Sequence, residues 1–355
     1  MSKLKITTWN AEWMEHIFDK NTIDVLSSYD KSGEKINNVD TWAKRKASLI
    51  KKVGPDLIGI EEGPTLLEQM KEFVNRYLSD NNGNPLYKVY RTSNGPSFGN
   101  IYDRQYIYLL VSNQLSVEVA PLTEDQTVMD LLYSKWPVNY WGIVKEEQHE
   151  FWRRPLVAEI KLKTDKSLRV IIGHTKSPFT RLSQSDFDKD KENYIQEAMK
   201  SRIKLSTEAW KIRQYVDECF KQDPSMAVIV MGDMNDGPGR RYFEKLFLFQ
   251  DMVNVLMGSM MEPEKFMTHA FVKYPPDQRY TTEFTSFLDP DVSPKVLLDH
   301  MLVSPGMIKP HDSVKFKKDS EKIEHEIYQN LLIENGKTIE NRPSDHRPAS
   351  IIVEY

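Results

Sequence analysis

The chain has 355 residues, 39% hydrophobic and 28% charged, with a net charge of −4 and a pI of about 6.1. Length alone suggests about two domains, and the mild acidity excludes a strongly basic nucleic-acid clamp but not a nuclease, because a metal and a few local cations offset phosphate charge. Cys219 is the only cysteine, which excludes a disulfide framework and a cysteine-based metal site.

The opening "MSKLKITTWN" holds no apolar signal stretch and no long apolar run occurs, so a cytoplasmic protein without membrane insertion is expected. "KLKITTWN" sets Leu4, Ile6 and Thr8 on one side, predicting a half-buried strand. A helix follows over 40–53: Asp40 or Thr41 caps it, Trp42, Lys46, Leu49, Ile50 and Val53 form one stripe, and Gly54-Pro55 stops it. "DLIGIEE" (56–62) reads as a buried strand, and Leu66, Met70, Phe73, Val74 and Tyr77 mark a second helix. Short strands are predicted at 87–92, 105–111, 115–120, 155–162 and 169–175, followed by a polar loop over 178–194. The longest amphipathic helix spans 195–220, with Cys219 on its apolar face as core filler. Then come the strand "AVIVMGDMN", a mixed region over 240–290, the strand "VLLDHMLVS" (296–304), a charged loop and the closing strand "ASIIVEY". Strands and helices mix from end to end, which favours one α/β domain over 1–355 with loop insertions near 121–150, 178–194 and 305–342.

Strand-like runs repeatedly meet chemically capable residues: Asn10, Glu61 and Glu62, His174, Asp233 and Asn235, Asp299, and Asp345-His346 just before the last strand. Each alone reads as a turn former, a cap or a structural histidine. Together they imply a centre, because desolvated carboxylates are costly unless a cation or proton neutralises them. Oxygen donors without cysteine suit a hard cation such as Mg²⁺ or Mn²⁺, and histidines supply a base and a donor to developing negative charge.

The ordered motifs "TWNAEW", "PDLIGIEE", "FWRRPLV", "IIGHTKS", "VIVMGDMNDGP", "LLDHMLVS" and "SDHRP" resemble the endonuclease/exonuclease/phosphatase superfamily, the deoxyribonuclease-I-like fold, over nearly the whole chain. The resemblance implies a four-layer α/β/β/α sandwich of two packed mixed sheets flanked by helices. It also implies a metal-dependent phosphodiester hydrolase, most readily a nuclease, acting on DNA more than RNA. By the same resemblance Glu62 is the principal ligand of Mg²⁺ or Mn²⁺, with Asn10 beside it and Asp345 completing the network. Asp233 holds or deprotonates the attacking water, Asn235 orients the phosphate and His174 donates to a phosphate oxygen. His346 is the catalytic histidine with Asp299 as its orienter, and Arg153 lies near the phosphate, with Arg154 as an alternative register. Whether one metal or two act is open.

Glu61, one position from Glu62, is expected to face the other way. Asp233 and Asn235, two apart, are expected to point together, with Met234 in the core. Asp103, Arg104 and Gln105 are candidates for a supporting residue on the strand near 102–108. Asp236 reads as the polar shoulder of a Gly237-Pro238-Gly239 turn. Tyr133, Trp136, Tyr140, Trp141 and Trp152 read as the hydrophobic anchor of an inserted loop, or as a platform for bases or a lipid or sugar group. His149 and Glu150 are expected to be solvated, as is most of 315–326, while the loop with Arg181 follows His174 and so is a candidate neighbour of substrate. A small-molecule or lipid phosphoester is the rival substrate, a catalytically silent scaffold the rival class, and a monomer is expected.

Overall fold

The computed structural model describes residues 2–31, 34–92, 105–140, 146–162, 166–178, 183–237, 242–247, 251–308 and 314–355. Asp103, Arg104, Trp141, Arg181, Pro238 and Gly239 lie outside them. The first half of the chain supplies β1 (Lys3–Asn10), α1 (Val39–Val53), β2 (Leu57–Gly63), α2 (Leu67–Tyr77), β3 (Tyr87–Arg91) and β4 (Tyr106–Ser112). The second supplies β5 (Glu118–Pro121), β6 (Leu156–Lys161), β7 (Ser167–His174), α3 (Lys191–Gln222) and β8 (Val228–Asp233). It ends with β9 (Thr268–His269), β10 (Asp299–Val303), α4 (His325–Asn335) and β11 (Ala349–Glu354).

Two mixed sheets result. One runs β11–β1–β2–β4–β3, with edge strands Lys315–Phe316 and Lys322–Ile323 on β11; the other runs β9–β10–β8–β7–β6–β5. Each has one parallel pair, β1 with β2 and β7 with β8, and each such pair is joined by a segment containing a helix, as parallel strands require. β11 pairs antiparallel with β1 from Lys3 opposite Glu354 to Thr8 opposite Ala349.

Period-2 alternation divides the apolar side chains into three cores. Leu4, Ile6, Leu57 and Leu109 meet Ile160, Ile172, Met231 and Met301 between the sheets. Ile58 and Ile60 face outward onto Trp42, Leu49, Met70 and Phe73 of α1 and α2. Val157, Ile171, Val228 and Val230 pack on Leu205, Ile212, Val216 and Cys219 of α3. Helix, sheet, sheet and helix are therefore the four layers expected.

Several boundaries differ from expectation. Asn38, not Asp40 or Thr41, caps α1 by accepting from the Thr41 amide at 2.9 Å. Within the expected loop 178–194, residues 183–194 are largely helical: Ser183 and Asp186 cap a helix over Gln184–Lys189, and Asp190 caps α3 through the Asn193 amide. The insertion at 121–150 holds a helical turn and a hairpin, Trp136–Asn139 with Glu146–His149. The insertion at 305–342 holds α4 and both edge strands, and Glu324 there is fully buried beside Lys5 at 2.7 Å instead of solvated. Among the described residues no helix is long and apolar enough to cross a membrane.

Candidate active site

The ends of both parallel pairs meet at one edge of the sandwich. His174 lies opposite Asp233, and Asp233 opposite Asp299 at the start of the antiparallel β10. Close strand approach there depends on Gly232, at φ +132, where a Cβ would sit 1.9 Å from the Gly173 carbonyl oxygen. Leu57, Gly59 and Glu61 follow strand alternation towards the second sheet, and a Cβ on Gly59 would lie 2.9 Å from Met231. A register shift between Ile60 and Gly63 and a left-handed φ of 56 at Glu62 then turn the Glu62 side chain into the site. Glu61 does diverge from Glu62, but into the sandwich beneath the site, where it accepts from Thr8 Oγ1 at 2.8 Å. Burial, then Asp299 and Asp233, hold its carboxyl well above the usual range.

Asn10 ties the two sheets together. Its Nδ2 donates to Asp233 Oδ2 at 2.9 Å and to Glu62 Oε1 at 3.3 Å, while its oxygen accepts from the Glu12 amide at 3.0 Å. In this arrangement Asn10 stands beside Glu62, as expected, and bridges its carboxylate to that of Asp233. Glu62 Oε2 accepts from the Trp13 amide and from Gln105 Nε2, both at 2.9 Å. Gln105 also donates to Glu15 Oε1 at 2.8 Å, and its oxygen accepts from Arg153 Nε at 2.9 Å and Nη2 at 2.8 Å. Arg153 therefore faces the site. Arg154 is buried against Tyr133, donating to its carbonyl.

His346 Nδ1 and Asp299 Oδ2 are 2.7 Å apart, in the base-and-orienter arrangement. His174 Nε2 lies 3.5 Å from Asp233 Oδ2, and His174 Nδ1 is buried with no partner. Asp345 accepts from Ser344 Oγ at 3.4 Å and lies within electrostatic reach of His346, Glu12 and Lys46. Burial pulls the His346 pKa down, but Asp299, Asp345 and Asp233 outweigh it and raise it well above the ordinary value. Burial pushes the Asp233 carboxyl up to about 7, with His346 and Asn10 opposing and Asp299 reinforcing. Burial, Arg153 and His346 hold His174 well below its usual value, and so neutral.

Other expectations are corrected. The strand stops at Asp233, and Asn235 has a left-handed φ of 51, so alternation does not align the two side chains. Asn235 Nδ2 instead donates to the Thr175 carbonyl at 3.1 Å, and its amide donates to Asp233 Oδ1 at 2.8 Å. Met234 is in the core as expected. Asp236 is no exposed turn shoulder: it is buried, paired with Arg202 at 2.8 Å and bonded to the Met252 amide. Tyr133, Trp136 and Tyr140 are buried beside α3 and fit the anchor reading, whereas Trp152 is 49% exposed. His149 is not solvated; it bonds Glu208 Oε1 at 3.1 Å and packs edge-on to Trp136. Glu150 is 28% exposed, 4.0 Å from Lys135.

Sequence reasoning missed Glu15, Glu12, Lys46, Arg342 and Ser344. The lysine on the apolar stripe of α1 was the visible signal. It is fully buried, and burial pulls its pKa down to about 8 against the raising charges of Glu12, Asp345 and Glu62. Among the described residues no three His, Cys, Asp or Glu side chains converge on one metal position. Glu62, whose carboxylate is aimed by hydrogen bonds on both oxygens, fits Mg²⁺, which keeps several waters and takes one or two carboxylates plus substrate phosphate oxygens.

No protein-family model matches the chain, and no curated protein matches it. Solved structures do. TDP2 from Caenorhabditis elegans is 16% identical with a TM-score of 0.50, covering 99% of this chain and 75% of that one. An endonuclease/exonuclease/phosphatase from Bacteroides vulgatus is 16% identical at TM-score 0.49, covering 100% and 99%. A mannosyl-6-phosphatase from Bacteroides thetaiotaomicron is 13% identical at TM-score 0.48, covering 99% and 100%. Likeness at this level of identity speaks to the fold alone.

Proposed function

We propose that this chain, whose fold is that of the endonuclease/exonuclease/phosphatase superfamily, is a metal-assisted phosphoester hydrolase. The observation that carries the reading is the His346–Asp299 pair at 2.7 Å on the same strand-end edge as Asp233, Asn10 and Glu62. A cation held by Glu62 would supply charge neutralisation on the phosphoryl oxygens. The chain's own groups supply the rest. Asp233, held by Asn10 and the Asn235 amide, is placed to take a proton from water. His346, kept cationic by Asp299, Asp345 and Asp233, is placed to donate where charge develops. His174, neutral and with Nε2 on the Asp233 side of the site, offers a hydrogen bond from that nitrogen to a non-bridging oxygen, and Arg153 adds a fixed positive charge.

Within this class we favour a phosphodiester and a nucleic-acid substrate, DNA over RNA, supported by the order of the seven motifs. A small phosphoester is the second reading. It is favoured by Glu15, which shares Gln105 with Glu62 and adds negative charge that repels a polyanion. Turnover of a bis-aryl phosphodiester with Mg²⁺ or Mn²⁺, then of plasmid DNA, single strands and RNA across a salt series, tests both. A steep fall with salt marks a polyanionic substrate and a flat response a small one. No turnover of any of these overturns the enzyme reading.

A further inference from the structure

Lys46 does work that neither the hydrolytic groups nor the helix requires. It stands on the buried stripe of α1 among Trp42, Ala43, Leu49 and Ile50, where an apolar side chain would pack without the cost of desolvating an ammonium. Its Nζ donates to three backbone carbonyls: Ala11, Glu12 at 2.8 Å and Pro343 at 2.9 Å. An ammonium has three hydrogens, so all are used and none meets a carboxylate. The Trp42 ring, its centroid 4.1 Å from Nζ, covers it.

The three carbonyls belong to two loops that are remote in sequence. Residues 11–12 follow Asn10, the bridge between Glu62 and Asp233. Pro343 precedes Ser344, Asp345 and His346. Two further bonds join the same loops: Ser344 Oγ donates to the Asn10 carbonyl at 2.7 Å while accepting from the His346 amide at 3.0 Å, and Arg342 pairs with Glu12. Glu12 and Trp13 have left-handed φ angles of 45 and 53, a conformation L-residues hold only when their surroundings enforce it.

We propose that Lys46 is a positioning residue. Its ammonium acts as a built-in cation in a three-carbonyl cradle, fixing the separation between the Asn10–Glu62 half of the site and the Asp345–His346 half. The proposal rests on the hydrolase reading for its catalytic consequence, but the clamp itself is a property of the fold and is tested separately.

Lys46→Ala deletes three methylenes and the ammonium, the outline of n-propylammonium. The expected result is a fall in kcat of roughly a hundredfold, the scale on which a 1 Å misplacement of reacting groups is felt, with KM little changed. Hydrogen exchange should accelerate at residues 11–13 and 344–346 and stay unchanged in β7, β8 and α3. n-Propylammonium should restore kcat and protection saturably, whereas 1-propanol and tetramethylammonium, which cannot supply three N–H donors, should not. Lys46→Met, which keeps the core filled, should show the same kcat loss and the same localised exchange, and it serves alone if the alanine variant does not fold. Wild-type kcat and exchange in Lys46→Met overturn the proposal, as does loss spread evenly over the molecule without rescue. An inactive wild-type protein would instead overturn the hydrolase reading, leaving exchange and its rescue to decide the clamp.

Discussion

Asp299→Asn keeps the shape of the side chain beside His346 and removes its charge. The bond concerned spans 2.7 Å and Asp299 is 0% exposed, so no water replaces what is lost. A hydrogen bond to a charged group is worth about 1.5–3 kcal/mol. With about 1.4 kcal/mol per tenfold in rate, that sets a fall in kcat of roughly ten- to a hundredfold. The loss of acid–base function is bounded at about 10⁴-fold. Asp299 is also the first of the carboxylates that hold His346 raised against burial, so its pKa must drop in the variant.

The sign follows for stability. A histidine whose folded pKa lies above its unfolded value stabilises the fold fully below about pH 6.5 and loses that contribution as pH rises through the folded pKa. The variant should therefore melt lower than wild type at acidic pH, and the two curves should converge as pH rises. The assay is kcat on a bis-aryl phosphodiester with Mn²⁺ over about pH 5 to 9, with melting temperatures at the same points. The expected result is the rate loss together with a His346 limb displaced to lower pH. A kcat within about threefold of wild type, well inside the loss set by the bond energy, combined with an unmoved limb, would refute the reasoning.

Gln105→Ala removes the amide that aims Glu62 and receives both Arg153 bonds. Loss of such an outer partner weakens metal affinity or activity by roughly 10- to 100-fold, to be read from Mn²⁺ titrations by calorimetry and by turnover; an unchanged midpoint in both counts against Glu62 as the ligand. His269 and His300 form a buried chain, Nε2 to Nδ1 at 2.9 Å and onward to the Asp236 carbonyl at 2.7 Å. Burial holds both pKa values below the ordinary value. The unfolded chain therefore binds their protons first, and stability should fall as pH drops below about 6.5 towards the folded values. His269→Phe should remove up to one proton of that dependence, read as the difference between the variant and parent melting curves; identical pH dependence in the two would contradict the neutral pair.

Strands that deliver side chains at their ends were readable because alternation and an end-of-run polar residue survive in sequence, as at Asn10, His174 and Asp233. Reading stopped where backbone left the strand. Glu62 enters the site through a bulge and a left-handed φ that no pattern encodes, and at Asn235 a left-handed φ ends the strand alternation. "DGPG" spells a turn equally well whether Asp236 is wet or buried, and only the arrival of Arg202 from α3 decides it. Gln105 is one of three candidates whose register only the fold resolves, while Glu15 and Lys46 act on partners brought together by folding, so their spacing carries no signal. Lys46 alone broke a local rule, as a cation on an apolar stripe.

The partnership of β1 and β11 also sets a clock. Thr7 and Ser350 share a hydroxyl–hydroxyl bond across 343 positions, so a centre built from Asn10 and His346 has one of the longest loop closures the chain allows. Translation at about 5–20 residues per second puts roughly 20–70 s between the two strands. During that interval β1 has an open hydrogen-bonding edge, a template for other strands, and the nascent chain holds Asn10, Glu62, His174 and Asp233 but not yet His346. A site assembled this way is incomplete until β11 docks, and the same delay makes the β1 edge the expected place for stalled chains to pair wrongly.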